Sequence, residues 1–234
     1  KGLRRADLRD IPLVTIDGAD ARDFDDAVWA AADEDSKNPG GWRLIVAIAD
    51  VSWYVRPGDA LDQSARERGT SVYFPDRVTP MLPEALSNDL CSLRPDEDRA
   101  CIAAHIWIDK NGAIVRSTFE RALMRSAARL TYEQVQAARD GKPDDQTGAL
   151  AIPVIAPLYG AYATLEAGRA KRGTLEIDLP ELQIVLGDDG HIDRIEPRPR
   201  LDSHRLIEEF MITANVAAAK TLAAKNKPFL YRVH

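Results

Sequence analysis

The sequence predicts an α+β fold in which a mostly antiparallel sheet is flanked by helices. Short apolar runs recur along the chain, and turn signals such as Asn111-Gly112 and Asp189-Gly190 separate them as in β-hairpins. Longer Ala- and Leu-rich segments have helical spacing. Strands and helices are interleaved, but hairpins dominate, and this favours an α+β arrangement over a parallel sheet.

The elements follow from these signals in chain order. Strands are predicted at residues 14–17, 27–32, 42–50, 100–108, 113–120, 182–186 and 192–196. Helices are predicted at residues 59–69, 83–90, 131–139, 155–171 and 203–225. Thr131 is the expected N-cap of the third helix, and Asp202 or Ser203 that of the last.

Composition places the chain among ordinary globular proteins. Its 234 residues are 45% hydrophobic and 29% charged, enough for one large domain or two small ones. No run of about 18 apolar residues occurs, and the first residues lack an apolar signal-peptide core, so we expect no membrane span and no secretion. Cys91 and Cys101 are interpreted as buried thiols, which predicts a cytoplasmic location.

The most informative stretch is an acidic loop between two predicted strands. Five aspartates fall within ten residues: Asp17, Asp20, Asp23, Asp25 and Asp26. Carboxylates this close repel one another unless a cation lies among them. Hard cations such as Mg²⁺ take oxygen ligands and often share them with phosphate, so the loop predicts a metal site for phosphate chemistry.

The spacing sharpens this prediction. Asp17, Asp23, Asp25 and Asp26 stand at i, i+6, i+8 and i+9, a set of four carboxylates that suits two metals about 4 Å apart. An EF-hand fits poorly, because counting from Asp20 puts Asp25 where that loop requires glycine. A solvated acidic turn remains the alternative.

The net charge of −6 argues against nucleic-acid binding, since phosphate binders are usually basic. Four of the acids belong to the proposed metal site, however, and bound cations would reverse the local field. Basic residues also cluster, although a solvated face is the favoured interpretation of each cluster taken alone: Arg116, Arg121, Arg125 and Arg129; Arg169, Lys171 and Arg172; Arg194, Arg198 and Arg200.

The acidic loop resembles the catalytic loop of the ribonuclease II/ribonuclease R family. Its pattern is Thr15-Ile-Asp-(x)5-Asp-x-Asp-Asp-Ala27. Further segments resemble the family in the same order: Leu44-Ile-Val-Ala-Ile-Ala-Asp50, Ser71-Val-Tyr-Phe-Pro75, Pro80-Met-Leu-Pro-Glu-Ala-Leu-Ser87, Leu90-Cys-Ser-Leu-Arg94, Leu130-Thr-Tyr-Glu-Gln134, Lys171-Arg-Gly173 and His204-Arg-Leu-Ile-Glu-Glu-Phe. The likeness covers nearly the whole chain and is greatest to the ribonuclease R branch.

The resemblance implies that residues 1–234 form an RNB-type catalytic region of a processive, Mg²⁺-dependent 3′-to-5′ exoribonuclease that releases nucleoside 5′-monophosphates. It implies that Asp17, Asp23, Asp25 and Asp26 hold the metal, with two Mg²⁺ expected and Mn²⁺ as a substitute. Asp25 and Asp23 are the implied catalytic residues, and Asp25 is expected to be indispensable.

The expected partner is the 3′ end of a single-stranded RNA. The resemblance implies that Tyr73 stacks on a base near that end, and that Tyr132 and Glu208 contact the ribose 2′-OH. The family's second stacking aromatic falls at Ile177, which puts a two-sided clamp in doubt. The alternatives are structural: Tyr73 in a half-buried strand, Tyr132 in a helix core and Glu208 exposed on a helix.

Three further expectations concern residues outside this set. Asp50 is either an additional carboxylate behind the metal ligands or a turn-initiating residue. The four histidines (His105, His191, His204 and His234) lack metal-ligand spacing and are interpreted as structural or surface residues. The chain also departs from the family, because cold-shock-like modules, an S1-type module and a late Ser-Pro-Ile-Arg-Arg-Tyr segment are not found in it.

The first arginine of that segment supports the phosphate in the family. Loss of such a charge-stabilising group typically lowers a rate about 100- to 1000-fold, so the chain alone is expected to be weak or inactive. A missing C-terminal segment or a second polypeptide would complete the domain. The competing hypotheses are a non-catalytic relative that binds RNA or metal, and an unrelated Mg²⁺ phosphohydrolase of small substrates.

Overall fold

The computed structural model describes residues 4–174, 182–187 and 189–231, and it has the expected α+β fold. Seven of the strands in these residues form one sheet, in the order β1-β8-β7-β4-β3-β2-β9. Their bounds are β1 Ala6–Asp7, β2 Val14–Asp17, β3 Asp26–Ala32, β4 Trp42–Ala49, β7 Asp98–Ile108, β8 Ile114–Arg125 and β9 Ala128–Thr131.

The centre of the sheet is antiparallel and its two edges are parallel. β2, β3, β4, β7 and β8 pair antiparallel with their neighbours, as predicted, whereas β1 pairs parallel with β8 and β9 with β2. The sequence prediction missed β1 and β9. These strands have 2 and 4 residues, too few to show an alternating pattern, and their sheet partners lie far along the chain.

Two smaller hairpins stand apart from this sheet. β5 Val72–Tyr73 pairs with β6 Val78–Thr79, and β10 Leu182–Leu186 pairs with β11 Ile192–Pro197. The second hairpin confirms the prediction made from Asp189-Gly190, where Gly190 has a positive φ of 76°.

Four described helices match the prediction: α2 Ala60–Arg68, α3 Tyr132–Arg139, α4 Ala156–Lys171 and α5 Asp202–Ala224. The short helix α1, Val51–Tyr54, was not predicted. The predicted helix at residues 83–90 is instead a π-helical turn, Ala85–Leu90, and a second such turn, Ala151–Ile155, leads into α4. Thr131 caps α3 as expected, in a capping box with Gln134.

The expected cap of α5 is wrong. Its N-cap is Leu201, one residue before Asp202 and two before Ser203, and the Leu201 N–H donates to His204 Nδ1 at 3.1 Å. A histidine at the third helical position therefore satisfies the free N–H that a Glu or Gln usually satisfies in a capping box.

The sheet separates two apolar cores. One lies between the sheet and helices α3, α4 and α5, and its largest fully buried side chains include Phe210, Leu158 and Leu44. The other lies on the opposite face, where both cysteines are buried and free, as expected. In the part of the chain described, helices long and apolar enough for a bilayer are not found.

Candidate active site

The acidic loop lies where two neighbouring strands of the sheet meet, between the end of β2 and the start of β3. Asp17 is the last residue of β2 and Asp26 the first of β3. Residues 18–25 connect them at the floor of a cleft of about 1260 Å³. Six of the seven predicted site residues line the cleft: Asp17, Asp23, Asp25, Tyr73, Tyr132 and Glu208. The seventh, Asp26, is the next residue in the sequence after Asp25.

The loop is held by side chains that sequence reasoning missed. Ser92 is fully buried, accepts from the Phe24 N–H at 3.1 Å and donates to the Arg22 carbonyl at 3.0 Å. Arg129 donates to the carbonyls of Gly18 and Ala19 at 3.0 and 2.7 Å. These contacts join residues 68 to 111 positions apart, so no local signal could have revealed them.

The backbone of the catalytic stretch is fixed in the same way. The Leu93 N–H donates to the Phe24 carbonyl at 2.7 Å, and the Ala49 N–H donates to the Asp25 carbonyl at 2.9 Å. Phe24 is buried and the Arg129 guanidinium lies 5.3 Å from its ring centre. The buried Phe24 thus anchors a loop whose carboxylates, before and after it, face the cleft.

Electrostatics mark three of the four aspartates as unusual. Burial raises the pKa of Asp17 to about 6, and the charges of Asp25 and Asp23 add to the effect. Burial raises the pKa of Asp26 to about 7, with Asp25 and Asp17 adding to it. Desolvation and the Asp23 charge also raise the pKa of Asp25. The carboxylates are therefore close enough to oppose one another's ionisation.

The four aspartates offer carboxylate oxygens, which are the ligands that a hard cation prefers. Asp26 Oδ2 is buried and has no hydrogen-bond partner within the described residues, so it is an acceptor that a cation could satisfy. As placed, no three His, Cys, Asp or Glu side chains of the described part converge closely enough to hold an ion.

Tyr73 lies on the rim of the cleft, on the β5–β6 hairpin. Its side chain is 67% exposed rather than half-buried in a strand, and its hydroxyl donates to Asp23 Oδ2 at 3.4 Å. An exposed aromatic ring next to the aspartates is available for stacking on a base.

Tyr132 and His204 form a stacked pair in the wall of the cleft. Their ring centres are 4.0 Å apart, and the ring planes differ by 18°. Burial raises the pKa of Tyr132, and the charges of Asp17 and Asp26 add to this. Tyr132 packs against the apolar core, as its structural alternative predicted, and it also lines the cleft. The stack of His204 on Tyr132 was not predicted, since it joins residues that are distant in the sequence.

Glu208 lies on α5 within the same cleft and is paired with Arg200 at 2.6 Å. Arg200 belongs to a set of arginines that line the cleft above the acidic floor: Arg22, Arg77, Arg198 and Arg200. The cluster on β8 and β9 has other functions, because Arg121 and Arg125 pair with Asp50 and Asp98 and Arg129 holds the loop.

Asp50 is directed toward a different partner. Its fully buried carboxylate accepts from Arg5 at 2.7 Å and from Ser52 at 2.8 Å, so it forms a structural ion pair. Ile177, the position expected for a second stacking aromatic, lies outside the described residues.

Known proteins are similar to this chain in both sequence and fold. The RNB domain family model matches residues 5–234. Ribonuclease R of Escherichia coli is 47% identical over 232 residues, which are 98% of this chain and 28% of that protein. Ribonuclease R of Thermotoga maritima is 42% identical over 235 residues, 98% of this chain and 32% of that protein.

A solved structure, Mycoplasma genitalium ribonuclease R in complex with ribose methylated single-stranded RNA, matches with a TM-score of 0.91 at 32% identity. The match covers 98% of this chain and 35% of that chain. The present chain therefore spans about a third or less of the length of these relatives.

Proposed function

The chain belongs to the RNB domain family, and from this premise we propose that its cleft hydrolyses RNA phosphodiesters from the 3′ end in a Mg²⁺-dependent reaction. The products would be nucleoside 5′-monophosphates. The observation that carries the proposal is the convergence of the acidic loop with Tyr73, Tyr132 and Glu208 in one cleft.

The acidic loop would hold the metal. Asp17 and Asp26 would ligate a firmly bound Mg²⁺ from two adjacent strands, and Asp23 and Asp25 would complete a site for two ions, with Mn²⁺ as a substitute. When bound, the metal supplies a water of lowered pKa and neutralises charge on the phosphate. The raised pKa values of Asp17 and Asp26 support this role, because a cation would relieve the repulsion that causes them.

The walls of the cleft would hold the RNA. Tyr73 would stack on a base without regard to its identity, while Tyr132 and Glu208 would contact the ribose 2′-OH. Arg22, Arg77 and Arg198 line the cleft above the aspartates, where they would accompany the phosphate backbone. The substrate would be the 3′ end of a single-stranded RNA, which would enter the cleft and reach the acidic loop.

The full activity is proposed for a longer polypeptide or assembly, because the chain spans 28% of the length of its Escherichia coli relative. A C-terminal segment or second polypeptide would contribute an arginine that supports the phosphate, and the enzyme would act in the cytoplasm. Residues 4–174, 182–187 and 189–231 would then provide the metal site, the stacking surface and the ribose contact.

The test is digestion of a 5′-labelled single-stranded RNA with Mg²⁺. We would compare the chain, its Asp25→Asn variant, and the chain joined to the segment that follows the matched region in the Escherichia coli relative. A ladder shortening from the 3′ end, stronger in the joined protein and reduced about 1000-fold or more by Asp25→Asn, is expected.

Asp20→Asn is the matched control, since Asp20 is an exposed aspartate of the same loop. It should retain most of the activity. RNA binding without cleavage in every one of these proteins would contradict hydrolysis and leave a non-catalytic RNA-binding relative.

A further inference from the structure

The stacked pair of Tyr132 and His204 joins two elements that sequence separates by 72 positions. Tyr132 is the first residue of α3, and His204 lies in the first turn of α5. A ring-centre distance of 4.0 Å with nearly parallel planes is a close stack, and both residues line the cleft. The stack therefore connects the start of each helix to the wall of the site.

His204 is itself held in place by the backbone. The Leu201 N–H donates to His204 Nδ1 at 3.1 Å, which restrains the rotation of the imidazole ring. A ring nitrogen that accepts from a backbone N–H carries no proton, so the ring is neutral with its proton on Nε2. Burial also lowers the pKa of His204, and the nearby Arg198 charge adds to this.

A neutral imidazole does not neutralise a phosphate charge, but it can hold the Tyr132 ring in place by stacking on it. Its face is covered by the phenol of Tyr132, whose hydroxyl lies within the electrostatic influence of Asp17 and Asp26. Tyr132 is also partly buried against the apolar core. Contacts with the imidazole and with the core therefore restrict the orientations of the phenol near Asp17 and Asp26.

We propose that His204 is a positioning residue for ribose selection: its ring fixes Tyr132 so that the phenol hydroxyl meets the 2′-OH of a nucleotide near the 3′ end. The inference rests on the proposed function and deepens it. His204 does not touch the RNA in this proposal, because it acts through the stack.

Two variants separate the two interactions that His204 makes. His204→Gln keeps an acceptor for the Leu201 N–H, as Gln does at this position of a capping box, but removes the ring. His204→Phe keeps a ring for the stack but removes the acceptor. A cap role alone predicts that Gln is the milder change, whereas a positioning role predicts that Phe is.

The measurement is the affinity for two fluorescent oligonucleotides of the same sequence, one of RNA and one with 2′-deoxy sugars at its last nucleotides. Binding is followed by anisotropy with Ca²⁺ in place of Mg²⁺, so that a hard cation is present and cleavage is limited. The hydrogen bond from Tyr132 to the 2′-OH should contribute about three- to tenfold to the preference of the wild type for RNA. We expect His204→Phe to keep the wild-type ratio within about twofold and His204→Gln to reduce it by about three- to tenfold, to the preference that Glu208 alone would give.

The affinity for the deoxy oligonucleotide should stay unchanged in both variants, which a general loss of folding would not allow. Retention of the full ratio in folded His204→Gln, or its loss in folded His204→Phe, would overturn the inference while the proposed function stands. Equal wild-type affinity for both oligonucleotides would also overturn it. Failure of the wild type to bind RNA would overturn the proposed function and this inference with it.

A second measurement needs no variant. In the wild type the imidazole ring current should shift the Tyr132 ring protons in the NMR spectrum away from their usual position, and the shift should persist when RNA is added. Its disappearance on RNA binding would show that His204 does not hold Tyr132 in the complex.

Discussion

Two carboxylates at the same end of neighbouring strands, Asp26 and Asp50, differ in the charges that surround them. Asp26 begins β3 and pairs with Ile48 of β4, and Asp50 follows two residues later. The Asp50 carboxylate is fully buried and bonded to Arg5, whereas Asp26 Oδ2 is buried and has no hydrogen-bond partner in the described part of the chain. The two residues lie at similar positions in the sheet, but the fold places an arginine side chain beside Asp50 and a hydrogen-bond donor does not reach Asp26 Oδ2 within the described residues.

The difference separates a carboxylate that serves folding from one suited to a ligand. Burial alone would raise the pKa of Asp50, but hydrogen bonds from Arg5 and Ser52 and the nearby Arg121 charge hold it below the ordinary value. Burial and two neighbouring aspartates raise the pKa of Asp26 to about 7. A buried acid left without a cation is destabilising, and its place beside two further acids makes Asp26 a candidate ligand of a bound cation.

The largest expected effect tests the paired carboxylate. Arg5→Met should lower the free energy of unfolding by up to about 3–5 kcal/mol, because it removes the nearest cation of the buried Asp50 carboxylate and leaves only Arg121 at 3.7 Å. Urea denaturation followed by circular dichroism measures this. Arg77→Met is the control, since Arg77 pairs with Asp76 on the surface and should contribute at most about 1 kcal/mol. Equal losses in both variants would contradict the comparison.

The second prediction tests the unpaired carboxylate. Asp26→Asn should weaken Mn²⁺ binding about 100-fold or more at pH 8, because it removes a direct ligand, and loss of a group that merely supports a ligand already costs about 10- to 100-fold. Titration followed by electron paramagnetic resonance measures the affinity. Asp50→Asn, tested under conditions where it is folded, should leave the affinity unchanged. A similar loss in that variant would indicate that Asp50 belongs to the metal site.

The third prediction concerns the loop anchor. Ser92→Ala should lower the free energy of unfolding by about 1–3 kcal/mol, because it leaves the buried Phe24 N–H without an acceptor, and it should also weaken Mn²⁺ binding. Ser126 is the matched control: it is equally buried but donates to the Ala128 carbonyl, away from the loop. Ser126→Ala should affect stability only, as judged by urea denaturation and metal titration.

The last prediction concerns the pH dependence of the metal-free chain. The folded-state pKa of Asp26, about 7, lies above its ordinary value of 3.8, so the folded state binds more protons between these values. Stability should therefore rise as pH falls from 8 to 5, by about 2–4 °C in Tm for each kcal/mol gained. Thermal denaturation in a chelator measures this, and Asp26→Asn should reduce the slope.

Asp50 has the opposite sign. Its folded-state pKa is lowered, so its contribution is present above the ordinary carboxyl pKa and is lost as pH falls below about 4. A metal-free Tm that rises steadily with pH from 5 to 8 would contradict the assignment of Asp26 as an unpaired buried acid.

Much of the fold could be predicted because its signals are local. The Asn111-Gly112 turn forms between β7 and β8, where Gly112 has a φ of 77° and an added Cβ would lie 2.7 Å from the Thr164 carbonyl oxygen. The capping box of α3 likewise involves residues three positions apart. The first residue of α5 was misplaced because the cap uses an unusual partner, His204, in place of a polar N-cap side chain.

The candidate site was predictable in its residue types but not in its support. The acidic loop shows its chemistry by composition and spacing, and the resemblance placed Tyr73, Tyr132 and Glu208 beside it. Ser92 and Arg129 are ordinary residues in sequence, and they hold the loop only because the fold brings them there. The stack of His204 on Tyr132 depends likewise on the approach of two distant helices.

The sequence by itself determined the acidic loop, the turns and the capping of α3, since these depend on residues a few positions apart. Only the tertiary structure decided which carboxylates are paired and which are not. Ionisation depends on burial and on charges close in space. The acidic neighbours of Asp26 lie in its own loop, where the spacing already places them, whereas Asp50 is paired with Arg5, 45 positions away in the sequence. The ion pair of Asp50, which no local pattern shows, separates the stabilising carboxylate from the candidate metal ligand.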